Sequence, residues 1–261
     1  MIKTSVLLLI LFLNAFVLNH TIVKNKIIKI PHNIVGVVFV LISLPLIELD
    51  ANLWTGISSL LLILLYDQLL NFSHLSNIKN AIFKTGFILG LMTLTNSGFG
   101  CFYPIILGAL FYYSQFNWKH MAIQLIGLFY PLGFAYVISK IYTPLNFFST
   151  LPEYKQNLSN ALHDYYLWVF IFLTILALSV QELYKNYYRK TEKAKKGFNL
   201  LFFFSALIMS HTLLFKSALL TPLISIPVSI LVANYLIYIK NVKFRTFLLG
   251  LLFLSFIFKI F

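Results

Sequence analysis

Ten apolar segments separated by polar gaps leave this sequence little choice of fold. They run over residues 4–19, 34–48, 53–70, 82–96, 99–115, 121–141, 165–182, 199–215, 219–239 and 244–261. A helix needs about 20 apolar residues to cross the hydrocarbon of a bilayer, and most segments approach that length. Lipid offers no partner to backbone N–H and C=O groups, so each segment is read as a helix. At 60% hydrophobic and 10% charged, 261 residues cannot coat a soluble globule, since soluble domains carry about 25% charged residues. The expected fold is all-α: a polytopic transmembrane helical bundle of about ten spans. No stretch between segments is long and mixed enough for a soluble domain, so residues 1–261 read as a single integral-membrane domain. Segment 34–48 spans only about 15 residues and has Pro45 near its end. Segment 4–19 follows Lys3 like a signal peptide, but residues 15–21 offer no small-x-small cleavage site, so it is kept as a helix.

The basic residues sort by gap. Fifteen of the twenty Lys and Arg fall after segments one, three, five, seven and nine: Lys24, Lys26 and Lys29; Lys79 and Lys84; Lys119; Lys185, Arg189, Lys190, Lys193, Lys195 and Lys196; Lys240, Lys243 and Arg245. The other gaps and ends hold five bases and four of the seven acids. Short cytoplasmic loops collect Lys and Arg, which puts the basic gaps in the cytoplasm and both termini outside. Removing segment 34–48 as a span would place Lys24, Lys26 and Lys29 on the wrong side, so the alternation favours ten spans over nine. The net charge of +13 is explained in this way, and no nucleic-acid partner is expected. A single cysteine, Cys101, excludes an intrachain disulfide and a two-cysteine metal site. Phosphate loops, metal-ligand helices and nucleophile elbows are missing, so neither a cofactor nor a metal is expected.

Few polar groups fall on the outer side. They are Glu48 and Asp50 at the turn between segments two and three, Asn96 at the next outer turn, Glu153, His163 and Asp164 in the 142–165 loop, and His211. A helix entering at Asn199 has climbed about 18 Å by His211, which places an imidazole inside the outer half of the bilayer, where ionisable groups are costly and mark function. The alternative is a neutral imidazole hydrogen-bonded to a neighbouring helix. Glu48 and Asp50 serve either as a solvated turn or as an acid/base or cation-binding pair. With Pro144, Pro152 and interleaved aromatics, the 142–165 loop either lies on the outer leaflet as a lid or simply connects two spans. On the inner side, Lys185, Arg189, Lys190, Lys193, Lys195 and Lys196 can contact anionic headgroups or an acidic partner, as well as act as positive-inside determinants. Asp67 has Lys79 and Lys84 within reach as charge partners, and Gly86 with Gly90 forms a small-xxx-small pair that permits close helix contact.

Residues 45–141 carry a recurring order: Pro45-Leu-Ile-Glu48-Leu-Asp50-Ala-Asn52-Leu, a helix ending in Tyr66-Asp67, Ile82-Phe83-Lys84-Thr-Gly86-Phe-Ile-Leu-Gly90, a helix with Tyr103-Pro104, and Gly127-Leu-Phe-Tyr130-Pro131. This order resembles an uncharacterised multi-pass inner-membrane family of Bacteroidota over about the first 145 residues. The same stretch is similar, more distantly, to the middle of the GT-C-type membrane glycosyltransferases, in which a Gly-x-x-x-Gly-x-x-x-Leu helix rises from a basic cytoplasmic turn. Those enzymes use an acidic residue in an outer loop after their first helix to act on a lipid-phosphate-linked sugar. The corresponding gap here, residues 20–33, has no acid and is expected in the cytoplasm. The resemblance therefore implies a reduced GT-C-like bundle without the catalytic loop: a non-catalytic or accessory component of envelope glycan or lipid assembly, leaning away from an enzyme. Its implied partners are the bilayer, a polyprenyl-phosphate-linked or other lipid substrate, and another membrane protein. Two readings stand beside it: a small transporter or flippase for a lipid-linked or hydrophobic substrate, and a divergent glycosyltransferase using Glu48, Asp50, His163 or Asp164.

Overall fold

A computed structural model describes residues 2–30, 32–49, 53–73, 78–141, 166–215, 223–239 and 241–257. Among these residues there are ten α-helices and no strand. In chain order they are α1 (Ile2–Lys24), α2 (Ile34–Leu49), α3 (Leu53–Leu70), α4 (Ile78–Thr95), α5 (Tyr103–Tyr112), α6 (Trp118–Ile141), α7 (Tyr166–Asn186), α8 (Glu192–Phe215), α9 (Ser225–Tyr238) and α10 (Val242–Ile257). Each expected segment has its helix. Among the described residues, four stretches are long and apolar enough to cross a membrane: Ser5–Lys24, Leu53–Leu70, Trp118–Ile141 and Trp168–Arg189.

That is fewer than the ten expected spans, and the shortfall has local causes. Helices α2 and α9 have 16 and 14 residues, or about 24 and 21 Å at 1.5 Å per residue, against about 30 Å of hydrocarbon. The fifth segment is divided: Ser97–Phe102 is a 3₁₀ turn, and α5 proper begins at Tyr103 with Pro104 in its first turn, where a missing N–H costs nothing. Helix α4 carries Lys79 and Lys84, and α8 opens on Glu192, Lys193, Lys195 and Lys196.

Helix α9 is the hub. Twelve of its fourteen residues are buried, and it packs on α2, α7 and α8. At the other extreme α6 has its main contact with α4 and turns Ile126, Phe129, Phe134 and Val137 outward, all more than half exposed. Phe12, Phe16, Phe170 and Phe247 do the same on other helices. Apolar faces of this extent are compatible with a lipid surround.

Between α4 and α6 the backbones touch. A Cβ on Gly90 would lie 2.5 Å from both the Leu128 carbonyl oxygen and Pro131 Cγ, one on Gly86 would strike the Gln124 carbonyl oxygen, and one on Gly127 the Phe83 carbonyl oxygen. The Gly86/Gly90 pair thus does what its spacing suggests, and Gly127 completes it from the facing helix.

Two helices stop on a left-handed residue that is not glycine. After α1, Lys26 takes φ 52°, its N–H bonds to Val23 O at 3.1 Å and that of Ile27 to Ile22 O at 3.2 Å. This is the paired-bond stop that usually employs glycine, and Ile22 and Ile27, both buried, supply its apolar contact. Ser114 at φ 57° closes α5 in the same way, through Ser114 N–H to Phe111 O and Gln115 N–H to Leu110 O.

Asp67 pairs differently from expectation. Its carboxylate accepts from Lys24 Nζ at 3.0 and 3.3 Å and from Asn25 Nδ2 at 2.7 Å. Parallel packing of α1 and α3, seen also in Asn14 Nδ2 donating to Gly56 O at 3.0 Å, sets their C-terminal ends side by side, so the partner comes from the first basic gap and not from Lys79 or Lys84.

Candidate functional site

One end of the bundle gathers three of the basic gaps. The α1–α2 connection, the α5–α6 connection and the α7–α8 turn meet there: Lys29 shares a cavity wall with Arg189 and Lys190, while Lys196 Nζ lies 5.7 Å from the ring of Tyr112 and 5.0 Å from that of Tyr113. Lys195 Nζ lies 5.9 Å from the Tyr187 ring and 3.5 Å from Glu192. Cations held over aromatic faces keep their charge while their stems cover apolar surface.

A groove of about 740 Å³ starts at this end and runs along the bundle between α5 and α8. Pro104, Ile105, Gly108 and Phe111 form one wall, and Leu200, Phe203, Ala206 and Leu207 the other. From Asn199 to Ser210, its length along α8 is about 17 Å. Phe111 and Phe203 are 61% and 62% exposed, so the groove opens sideways toward the surroundings of the bundle. Its basic end is closed by a polar chain. Tyr187 donates its hydroxyl to Asn199 Oδ1 at 3.0 Å, and Asn199 Nδ2 donates to Tyr112 Oη at 2.9 Å. The arrangement is amphipathic: an apolar trough, then hydrogen-bonding groups, then Lys195 and Lys196.

A second, more polar cavity of about 370 Å³ lies where α7, α9 and the α1–α2 connection adjoin. Lys190 is its most constrained side chain. Nζ donates to Asn234 Oδ1 at 2.5 Å and sits 5.1 Å from the Phe198 ring and 4.5 Å from the Tyr238 ring. Burial pushes this amine down to about 8, against a smaller opposing pull from Glu182. Glu182 itself accepts from Asn186 Nδ2.

The predicted residues separate clearly. Arg189 and Lys190 line the polar cavity, and Lys195 and Lys196 lie against Tyr187 and Tyr112 at the basic end of the groove. Lys185 is exposed in the last turn of α7. Lys193 faces the Asp67 node, where burial lowers its amine, Asp67 raises it, and Lys24 and Lys26 lower it further. Asn96 caps the 3₁₀ turn before α5, its side chain accepting from Gly98 N–H at 2.7 Å, so a local structural task accounts for it. Asp50, Glu153, His163 and Asp164 lie outside the described residues, as do the side chains of Glu48 and His211, which fall within α2 and α8.

Sequence reasoning missed Tyr112, Asn199, Glu182 and Asn234. Asn234 had a signal: in Ser225–Tyr238 it is the only amide side chain, and it is 1% exposed. Compared with protein-family models, with curated proteins and with solved structures, the chain matches none.

Proposed function

We propose that this chain is a multi-pass inner-membrane protein that holds a lipid-linked intermediate, serving envelope glycan or lipid assembly as a binding component and not as the catalyst. The groove between α5 and α8 carries the reading. An isoprenoid or acyl tail fits an apolar trough open to lipid. A phosphate at its head meets Lys195 and Lys196, beside the amide of Asn199 and the hydroxyl of Tyr112. In the ten-span topology, with both termini periplasmic, this head end lies at the cytoplasmic leaflet. The meeting of three basic gaps at one end of the bundle supports that orientation. The GT-C-like reading of the first 145 residues agrees with a lipid-phosphate ligand.

Photo-crosslinking tests it. A polyprenyl phosphate with a diazirine in its tail should label α5 and α8, and unlabelled polyprenyl phosphate should compete. A Cβ at Gly108 meets open space, so Gly108→Leu fills the trough without disturbing the helix, and labelling should fall about tenfold. Labelling spread evenly over the lipid-facing helices, or unchanged in Gly108→Leu, would sink the proposal.

A further inference from the structure

The cavity around Lys190 shares no lining residue with the groove, and its chemistry is different. We infer that it is an anion site for a phosphoryl group, with Lys29, Arg189 and Lys190 supplying charge and Asn234 holding Lys190 in place.

Four observations converge. Three cations from two separate parts of the chain border one cavity of about 370 Å³, with Glu182 as the single carboxylate on its wall. Like charges so arranged repel one another unless an anion joins them. Among the described residues there are two ion pairs, Lys24 with Asp67 and Lys195 with Glu192, and neither uses Lys29, Arg189 or Lys190. Lys190 is not a loose surface chain. Two aromatic rings and the Asn234 carbonyl fix its Nζ, and Asn234, which lines the same cavity, is 1% exposed within the most buried helix of the bundle. A buried amide placed to aim one lysine at a cavity is a built feature, because burying a polar group without a partner is unfavourable.

Phosphoryl chemistry fits better than a carboxylate. A phosphoryl group spreads up to two negative charges over several acceptor oxygens, which suits three separated cations. Arg189 supplies the planar fork that such oxygens accept from in pairs. Glu182 faces the same space and opposes the ligand, so it tunes affinity downward. The phosphoryl group belongs either to a free phosphorylated solute or to an anionic lipid headgroup.

Titrating the full chain in phosphatidylcholine nanodiscs with inorganic phosphate, against chloride at matched ionic strength, addresses the first source. Nanodiscs with added phosphatidylglycerol address the second. Thermal unfolding reads both. Saturable stabilisation by phosphate assigns a solute, and saturable stabilisation by phosphatidylglycerol alone assigns a headgroup. In either case Lys29→Gln and Arg189→Gln should each weaken binding about tenfold, Glu182→Gln should tighten it, and Lys185→Gln, outside both cavities, should leave it unchanged. Lys190→Gln should weaken it as well, but this side chain also packs, so Lys29 and Arg189 decide. No saturable response to either probe, or equal affinity in Arg189→Gln and the parent, overturns the site. Gly108→Leu should not affect it, which keeps this test apart from that of the groove.

Discussion

At residue scale, two helix ends carry a cost that the sequence conceals. Lys26 and Ser114 both occupy left-handed backbone, which costs an L-residue with a Cβ roughly 1–2 kcal/mol and which glycine adopts freely. Ser114→Gly should raise stability by about 1 kcal/mol, seen as a higher unfolding temperature in detergent, whereas Ser114→Val should lower it. A fall on Ser114→Gly would contradict the assignment of that turn. No glycine marks either stop, so only the backbone reveals them. Lys190 yields a pH prediction. Its native amine loses its proton near pH 8, whereas the ordinary lysine value is 10.5. Between those values the unfolded chain binds more protons than the native one, so this group makes folding more favourable as pH rises through that window, and its penalty is fully present below it. The same shift makes Lys190 a free base at lower pH than an ordinary lysine. Acetic anhydride footprinting should show its labelling rise with a midpoint near pH 8, well below that of a lysine in a model peptide. Coincident midpoints would argue against the burial that places it.

At the scale of elements, the apolar pattern was a good guide to where helices lie and a poor one to how they meet. Segment 34–48 became α2, Ile34–Leu49, and 53–70 became α3 residue for residue, because runs of Leu and Ile bounded by polar residues leave few alternative ends. Where α4 packs was legible only in part. Gly86 and Gly90 announced a close contact, but a lone Gly127 followed by Pro131 did not declare itself the other half. The crossing makes a sharp prediction. Gly127→Leu or Gly86→Val drives a side chain into facing backbone that has no rotamer to yield, and should cost about 2–3 kcal/mol or abolish the fold. Gly133→Ala and Gly250→Ala meet nothing within 4 Å, so they should be neutral or stabilising by up to about 1 kcal/mol. Comparable losses in all four variants would show that the glycines serve helix flexibility instead of contact.

At the scale of the whole molecule, charge alternation and geometry speak to the same question by independent routes. The alternation assigned sides to gaps without knowing which gaps are neighbours. Lys29 beside Arg189 and Lys190 is a neighbourhood that sequence distance hides, as is Lys24 on Asp67. The cavities were illegible for the same reason, since each is assembled from helices far apart in the chain, and a Tyr or Asn at a helix end is too common to stand out alone. A reporter active only in the cytoplasm, fused after Lys196, should give signal, and one fused after Tyr154 should not. Signal at Tyr154 would reverse the bundle and move the basic end of the groove to the outer leaflet.

The burial of α9 has a bearing on hydrophobic thickness. Helix α6, at 24 residues, measures about 36 Å and lies at the margin, so a bilayer of about 30 Å is matched by tilt. Helix α9, at 14 residues, is too short to match it by any tilt, yet it is the helix whose surface other helices cover. Its deficit is met by neighbouring side chains and never by acyl chains. Lipids of different length should therefore act on the inclination of α6 while leaving the hub indifferent to the membrane around it.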